Sequence, residues 1–361
     1  VKALGLKRVL VVTGPSLRKL HMPDGLLKSL ADAGIQASVF SDVQPNPTLQ
    51  NIEDARKQFV DDDCQAIIAF GGGSVMDCAK VAGARVVNPD KSILQMRGQL
   101  KVGRRLPPLF AIPTTAGTGS ETTIAAVVSN PANHEKFAVN DPHLRPDYAV
   151  LDPLLTVGLP PKITAATGMD ALTHAVEAYI GKSNTPATEA AAKEAVRLIF
   201  QNLEKAYQDG NDIAAREGML MGSYQAGMAF TRAYVGYVHA IAHAVGGLYG
   251  VAHGLANAII LPYVLEAYGM SAEVRLAQLA VVAGAAASAD DTHTAAGKLI
   301  AAIRGMNERM GIPAHVKEIQ AGDIPKIARR ADKEANPLYP VPRIMDQPEL
   351  AALVRRIAGI Q

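Results

Sequence analysis

At 361 residues the chain is longer than one hydrophobic core usually organises, so two domains are expected. Its 48% of hydrophobic residues fits a globular protein rather than a disordered one, and a net charge of +2 is too small for a surface that tracks phosphates, which excludes nucleic acid as a partner class. Two cysteines, Cys64 and Cys78, cannot build a disulfide framework, and no stretch is long and uncharged enough to span a bilayer, so a cytoplasmic protein without membrane contact is expected.

No secretory signal opens the chain, which starts at Val1 and runs directly into strand-like sequence; a missing N-terminal piece is expected. "KRVLVVTG" reads as a first strand, followed by one helix through "SLRKLHMPDGLLKSLADAG" and the strand "IQASVF". After the turn "SDVQPNPT" come the helix "TLQNIEDARKQFVDDD" and the strand "QAIIAF". Strands alternating with helices predict a doubly wound, Rossmann-like parallel sheet. From about Pro160 the pattern changes to long segments at helical spacing, broken by "GKSNTP" and "QDGND", so this half is expected to be all helix. The proline-bearing "LDPLLTVGLPPK" marks the boundary, giving an α/β dinucleotide-binding domain over 1–158 and a helical metal- and substrate-binding domain over 159–361. "ANPLYPVPRIMD" is expected to be a loop before a last short helix.

Two loops of the first half carry candidate chemistry. In "IIAFGGGSVMDCAK" a buried strand meets Gly71, Gly72 and Gly73, and Ser74 is expected to cap the next helix. Glycines admit close approach of a phosphate and a helix start offers free N–H groups, so the stretch reads as a pyrophosphate cradle or, equally, as a tight turn. "LFAIPTTAGTGSETT" again follows a strand and gathers Thr114, Thr115, Thr118 and Thr123 around glycines; hydroxyls and open backbone suit ribose and phosphate, or a solvated turn.

The helical half offers metal-type donors. Asp170 and His174 in "GMDALTHAVEAY" stand four apart on one helix face, able to reach one cation or simply each other. "VHAIAHAVGGLYGVAHGLANAIILP" adds His239, His243 and His253 in a core-like segment, where so many buried polar groups need partners. A divalent metal would satisfy them together, and nitrogen with oxygen donors suits Zn(II) and Fe(II) alike. Five candidates exceed four tetrahedral positions, and spacing does not choose among them.

Together "GGGSVMDCAK", "IPTTAGTGSETT", "GMDALTHAVEAY" and "HAIAHAVGGLYGVAHGLANAIILP" resemble the iron-containing alcohol dehydrogenases over nearly the whole chain. The resemblance implies an N-terminal dinucleotide-binding domain, a C-terminal helical domain and an active site in the cleft between them. It implies Asp170, His174, His239 and His253 as ligands of Fe(II), with zinc the alternative, and His243 as an unligated relay beside the nicotinamide. The nucleotide, NAD or NADP, would meet Gly71, Gly72, Gly73, Ser74, Thr114 and Thr115, with Thr118, Thr123, Asp77 and Lys136 completing the contacts. The implied reaction moves hydride between a metal-held small primary alcohol, or its aldehyde, and NAD(P), in a homodimer or larger assembly. Two rivals share parts of this pattern: a metal- and NAD-dependent cyclase similar to dehydroquinate synthase, which needs a basic phosphate pocket, and a metal-stabilised nucleotide binder without catalysis.

This chain departs from the family at three places. A further strand usually precedes the point where it starts. Ala252 stands where proline is common before the last ligand, and Ser41 stands where many NAD-preferring members carry aspartate, which leaves the choice of nucleotide open. No charged cluster in the helical half forms a clamp for an anionic substrate, and Phe230, Tyr234, Tyr237, Leu248 and Tyr249 near the metal segment suit a small alcohol.

Overall fold

The computed structural model describes residues 1–132 and 135–360. By contact the chain divides into two compact units, one of Val1–Thr115 with Ser120–Leu155, the other of Ala116–Gly119 with Thr156–Gln361.

The first unit is built on β1 (Arg8–Val12), α1 (Pro15–Lys19), α2 (Asp24–Asp32), β2 (Gln36–Phe40), α3 (Leu49–Asp61), β3 (Ala66–Gly71) and α4 (Gly73–Val87). It continues through β4 (Gly98–Gln99), β5 (Leu109–Pro113), β6 (Ala125–Asn130), β7 (Glu135–Asn140) and β8 (Tyr148–Ala149). Five strands form a parallel sheet in the order β2-β1-β3-β5-β8. Alternate residues feed two cores: Leu10, Val12, Ile67 and Ala69 pack toward Ile52 and Phe59 of α3 and Met76 of α4. Val9, Val11, Ile68 and Phe70 pack toward Leu30 and the partly buried Leu26 and Leu27 of α2. Both faces are covered, which is why these strands read as unbroken apolar runs. A second, three-stranded sheet, β4-β7-β6, contains an antiparallel hairpin that the alternating pattern did not announce.

Two local expectations are corrected. The segment expected to be one helix is two, because His21 takes a left-handed φ of 57° and Pro23 cannot continue the ladder, so α2 restarts at Asp24. Ser74 is not the cap of α4: Gly72 holds that place without any side-chain cap, and Ser74 lies within the first turn.

The second unit is helical: α5 (Pro161–Ile180), α6 (Pro186–Gln208), α7 (Ile213–Ala233), α8 (Tyr237–Tyr249), α9 (His253–Tyr268), α10 (Met270–Val282), α11 (Thr292–Arg309), α12 (Ile324–Ala335) and α13 (Gln347–Ala358). Its middle is α5, buried along almost its whole length and packed on α6, α7 and α9. The segment between α12 and α13 is a loop, as expected. No helix among the described residues is long and apolar enough to cross a membrane, and both cysteines are buried and free.

Candidate metal and nucleotide sites

Three helices of the second unit bring four donors together. Asp170 and His174 come from α5, His239 from the first turn of α8, and His253 is the first residue of α9; one ligand atom from each lies within 4.8 Å of all the others. The first three are buried and His253 is exposed. Gly254 lets α9 start this close to α5, since a Cβ there would run into the Ala166 carbonyl and lie 3.3 Å from the Asp170 Cβ.

The donor set is under-satisfied. Asn257 of α9 points its Nδ2 at Asp170 Oδ1 (2.7 Å), His239 Nε2 (3.1 Å) and His253 Nε2 (3.2 Å), so one amide group is shared among three ligand atoms. His174 Nδ1 is buried with no partner. Burial pulls the His174 pKa down to about 3 and His239 well below its usual value, so both rings are neutral and keep a lone pair to donate; burial pushes Asp170 up. Convergent, uncompensated nitrogen and oxygen acceptors are what a borderline divalent cation satisfies, so these residues fit such an ion.

A third group on α5, which sequence reasoning missed, orients one donor. Glu177 is buried and accepts from the backbone N–H of Gly236 (2.9 Å) and Val238 (2.8 Å) and from His239 Nδ1 (2.6 Å). It therefore caps α8 from another helix and turns the His239 Nε2 toward the other donors. A Cβ on Gly236 would come within 2.7 Å of Glu177 Oε1, which explains the glycine. Burial raises the Glu177 pKa to about 7 against the lowering effect of those N–H groups. The signal was its position seven residues after Asp170, on the same helix face.

His243 stands outside the four-donor group. Its ring stacks on that of His253, centroids 5.1 Å apart, and its Nδ1 is 2.6 Å from Glu334 Oε1 on α12. The partial desolvation of this ring is outweighed by the Glu334 charge and hydrogen bond, and the net shift of its pKa is upward. Of the apolar residues singled out in the sequence, Phe230 lies against the donors, stacked on His174 with centroids 4.1 Å apart. Tyr237 does not line any opening: it is fully buried, its hydroxyl donating to Asn336 Oδ1. Tyr249 is tied to Asp323.

In the first unit β1 and β3 are neighbours whose onward connections lead to opposite sides, to β2 and to β5. Ligands of such sheets sit beyond the carboxyl ends of the strands at this switch point. Gly71–Gly73 lie there, and so do Thr13 and Gly14, which the sequence reading passed over although "VVTGP" follows a strand; the Thr13 hydroxyl is buried without a partner. Ser74 Oγ accepts from the Asn46 N–H (3.1 Å), and Asn46 Oδ1 accepts from Lys136 Nζ (2.9 Å), so Lys136 and the loop after β2 are tied to the start of α4. Burial lowers the Lys136 pKa. Ser41, half-buried, directly follows β2.

Asp77 and Thr123 are engaged inside the protein. Asp77 accepts from Ser120 Oγ (3.1 Å) and the Val127 N–H (3.0 Å), while the buried Lys80 donates to Ser120 Oγ, Thr123 Oγ1 and the Ala125 carbonyl. Burial drops Lys80 to about 8, still charged near neutral pH. These two side chains hold the loop that follows Thr114 and Thr115; Thr118 belongs to the helical unit. At Gly72 an added Cβ would meet Thr115 Oγ1 at 3.2 Å, so a side chain larger than hydrogen there would press on the loop that carries Thr115.

Comparison with known proteins decides the family. Residues 1–153 match the family described as iron-containing alcohol dehydrogenase, and residues 164–358 match the Fe-containing alcohol dehydrogenase family, C-terminal. The chain belongs to the iron-containing alcohol dehydrogenases. It is 41% identical over 357 residues to the 1,3-propanediol dehydrogenase of Klebsiella pneumoniae, covering 98% of this chain and 92% of that one. It is 36% identical over 357 residues to the NAD-dependent methanol dehydrogenase of Bacillus methanolicus, covering 98% and 93%. A solved 1,3-propanediol oxidoreductase superposes with a TM-score of 0.94 at 40% identity, over 99% of this chain and 93% of that one. This iron-containing alcohol dehydrogenase is thus an oxidoreductase of alcohols and aldehydes, and iron and an NAD-type cofactor go with the family. The resemblance carried by the four sequence motifs holds across both halves of the chain, and so does the expected pairing of a parallel-sheet region with a helical one.

Proposed function

We propose that this alcohol dehydrogenase acts on small primary alcohols and their aldehydes with Fe(II) held by Asp170, His174, His239 and His253, using NAD and also NADP. The observation that carries the reading is the cluster of convergent, under-satisfied acceptors on α5, α8 and α9. When bound, a divalent cation there supplies a Lewis acid for the substrate oxygen, and the nicotinamide supplies the hydride acceptor. Zinc fits the same donors, and metal analysis of the purified protein tells the two apart.

The protein's own groups do the rest. His243, exposed beside the donors, takes the hydroxyl proton and returns it in the reverse direction. Phe230 presents an apolar face at His174, and the carboxylates Glu334, Asp170 and Glu177 act together on His243, which disfavours a further anionic group beside that ring. In the first unit Gly71–Gly73 and the start of α4 receive the pyrophosphate, with Ser74, Thr114, Thr115 and Lys136 around it, and Thr118 is a further contact. Asp77 and Thr123 serve this nucleotide site through the loop they fix. The reading includes a cytoplasmic homodimer or larger assembly, whose mass light scattering on the purified chain measures.

The test is absorbance at the NADH band with a panel of alcohols on freshly iron-loaded protein. Turnover with small primary alcohols, absent after chelation, is expected; stoichiometric metal without turnover on any of them would overturn the reading. Ser41 is neutral and short where a carboxylate would repel a 2′-phosphate, although the exposed Asp42 follows it. Efficiencies with NADP and NAD are therefore expected within roughly a hundredfold, below about 3 kcal/mol in transition-state binding. Ser41→Asp should depress NADP use far more than NAD use; an unchanged ratio in steady-state kinetics removes Ser41 from cofactor choice.

A further inference from the structure

We propose that Glu334, braced by Tyr339, is a positioning residue that fixes His243 in the tautomer with hydrogen on Nδ1, leaving Nε2 as the ring atom that exchanges a proton with the substrate. This rests on the reading of His243 as the proton-transfer group.

Glu334 is the penultimate residue of α12, which packs on α8. Its Oε1 lies 2.6 Å from His243 Nδ1 and accepts a second hydrogen bond, at 2.8 Å, from the Tyr339 hydroxyl. A carboxylate oxygen only accepts, and the tyrosine hydrogen is already directed at it, so the hydrogen between Glu334 and the ring sits on Nδ1. The remaining ring nitrogen then carries the lone pair. In the forward direction the substrate O–H bond breaks, its electron pair stays on oxygen, and the proton forms an N–H bond at Nε2; the exposed ring then releases it to water.

The carboxylate is held by the same helix that carries the histidine. Tyr237, in the first turn of α8, donates to Asn336 Oδ1 (2.7 Å) and accepts from the Met345 N–H (2.9 Å), pinning both ends of the loop that bears Tyr339. The Tyr339 N–H closes back on the Ala335 carbonyl (2.7 Å), and the Asn336 amide on Asp332 Oδ1 (2.8 Å). Glu334, Tyr339 and His243 thus share one frame, the arrangement by which a fixed carboxylate sets the tautomer of a catalytic imidazole elsewhere.

Three variants and two readouts test this. Glu334→Ala is expected to lower kcat by roughly a hundredfold with KM, metal content and dinucleotide affinity near the parent values, the size seen when a supporting partner is lost. Glu334→Gln can present the same oxygen to both donors, so it should recover most of that kcat. In the metal-free chain labelled with 15N-histidine, the His243 ring, assigned by its absence in His243→Ala, should show hydrogen on Nδ1 in the parent and Glu334→Gln, and a mixture of tautomers in Glu334→Ala. An unchanged tautomer or an unchanged kcat in Glu334→Ala, with His243→Ala inactive, would overturn the proposal. Full turnover in His243→Ala would instead overturn the role of His243 itself, while the spectra still decide whether Glu334 sets its tautomer.

Discussion

His253→Ala is expected to release most of the bound iron and to abolish alcohol oxidation while the protein stays folded. His253 is the first residue of α9, exposed, with Nε2 3.4 Å from Asp170 Oδ1, so it gives a donor atom to the cluster but little to the core. Alanine leaves three donors, one of them the carboxylate, and a site with an additional open position holds a divalent ion far more weakly. The melting temperature of the metal-free variant should stay close to that of the metal-free parent, since neither has the ion and the helix start lacks a side-chain cap in either case. Elemental analysis alongside NADH formation checks this, and stoichiometric iron with normal turnover would remove His253 from the ligand set.

Glu177→Ala should damage stability and metal binding together. The carboxylate is buried and satisfies two backbone N–H groups at the start of α8 and the Nδ1 of His239. Its removal leaves three buried donors facing a void, a loss of about 3–5 kcal/mol by the cost of orphaned buried groups and a lost cap. It also frees the His239 ring to turn, which should weaken metal affinity by roughly ten- to a hundredfold. Glutamine is not a mild replacement here, because it has one acceptor oxygen and would set its own NH₂ against an N–H. Denaturant unfolding of the metal-free protein isolates the stability loss, and competition with a chelator isolates the affinity loss. Parent-like values in both would mean that α8 finds other partners.

Much of this architecture is legible in the sequence because its strands are covered on both sides. Doubly buried strands such as "VLVV" and "IIAF" and long alanine-rich helices leave strong patterns. The break at His21–Pro23 was hidden because apolar spacing continues across it, and only the proline and a left-handed residue betray it. The donor residues stood out because four histidines and an aspartate are unusual in apolar helices. Glu177 and Glu334 did not, since a lone glutamate in a helix normally faces water. Only the folded chain shows that one lies against the start of α8 and the other against His243, 91 residues away in sequence. For the same reason Asp77 and Thr123 read as ligand contacts, although their side-chain groups are taken up by Ser120, Val127 and Lys80.

The placement of Asp170, His174 and Glu177 on one face of α5 sets what length changes this gene tolerates. Each residue along a helix turns the chain by about 100°. A single-residue insertion or deletion between positions 170 and 177 would therefore carry Glu177 a quarter-turn or more away from α8 while Asp170 stayed in place. A substitution in this window acts through the one side chain it replaces, whereas a change of length separates Asp170 and His174 from the helix cap in one step. Viable variants of the enzyme should accordingly keep the count of six residues between Asp170 and Glu177 fixed, and length variation should collect in segments such as the turn between α10 and α11.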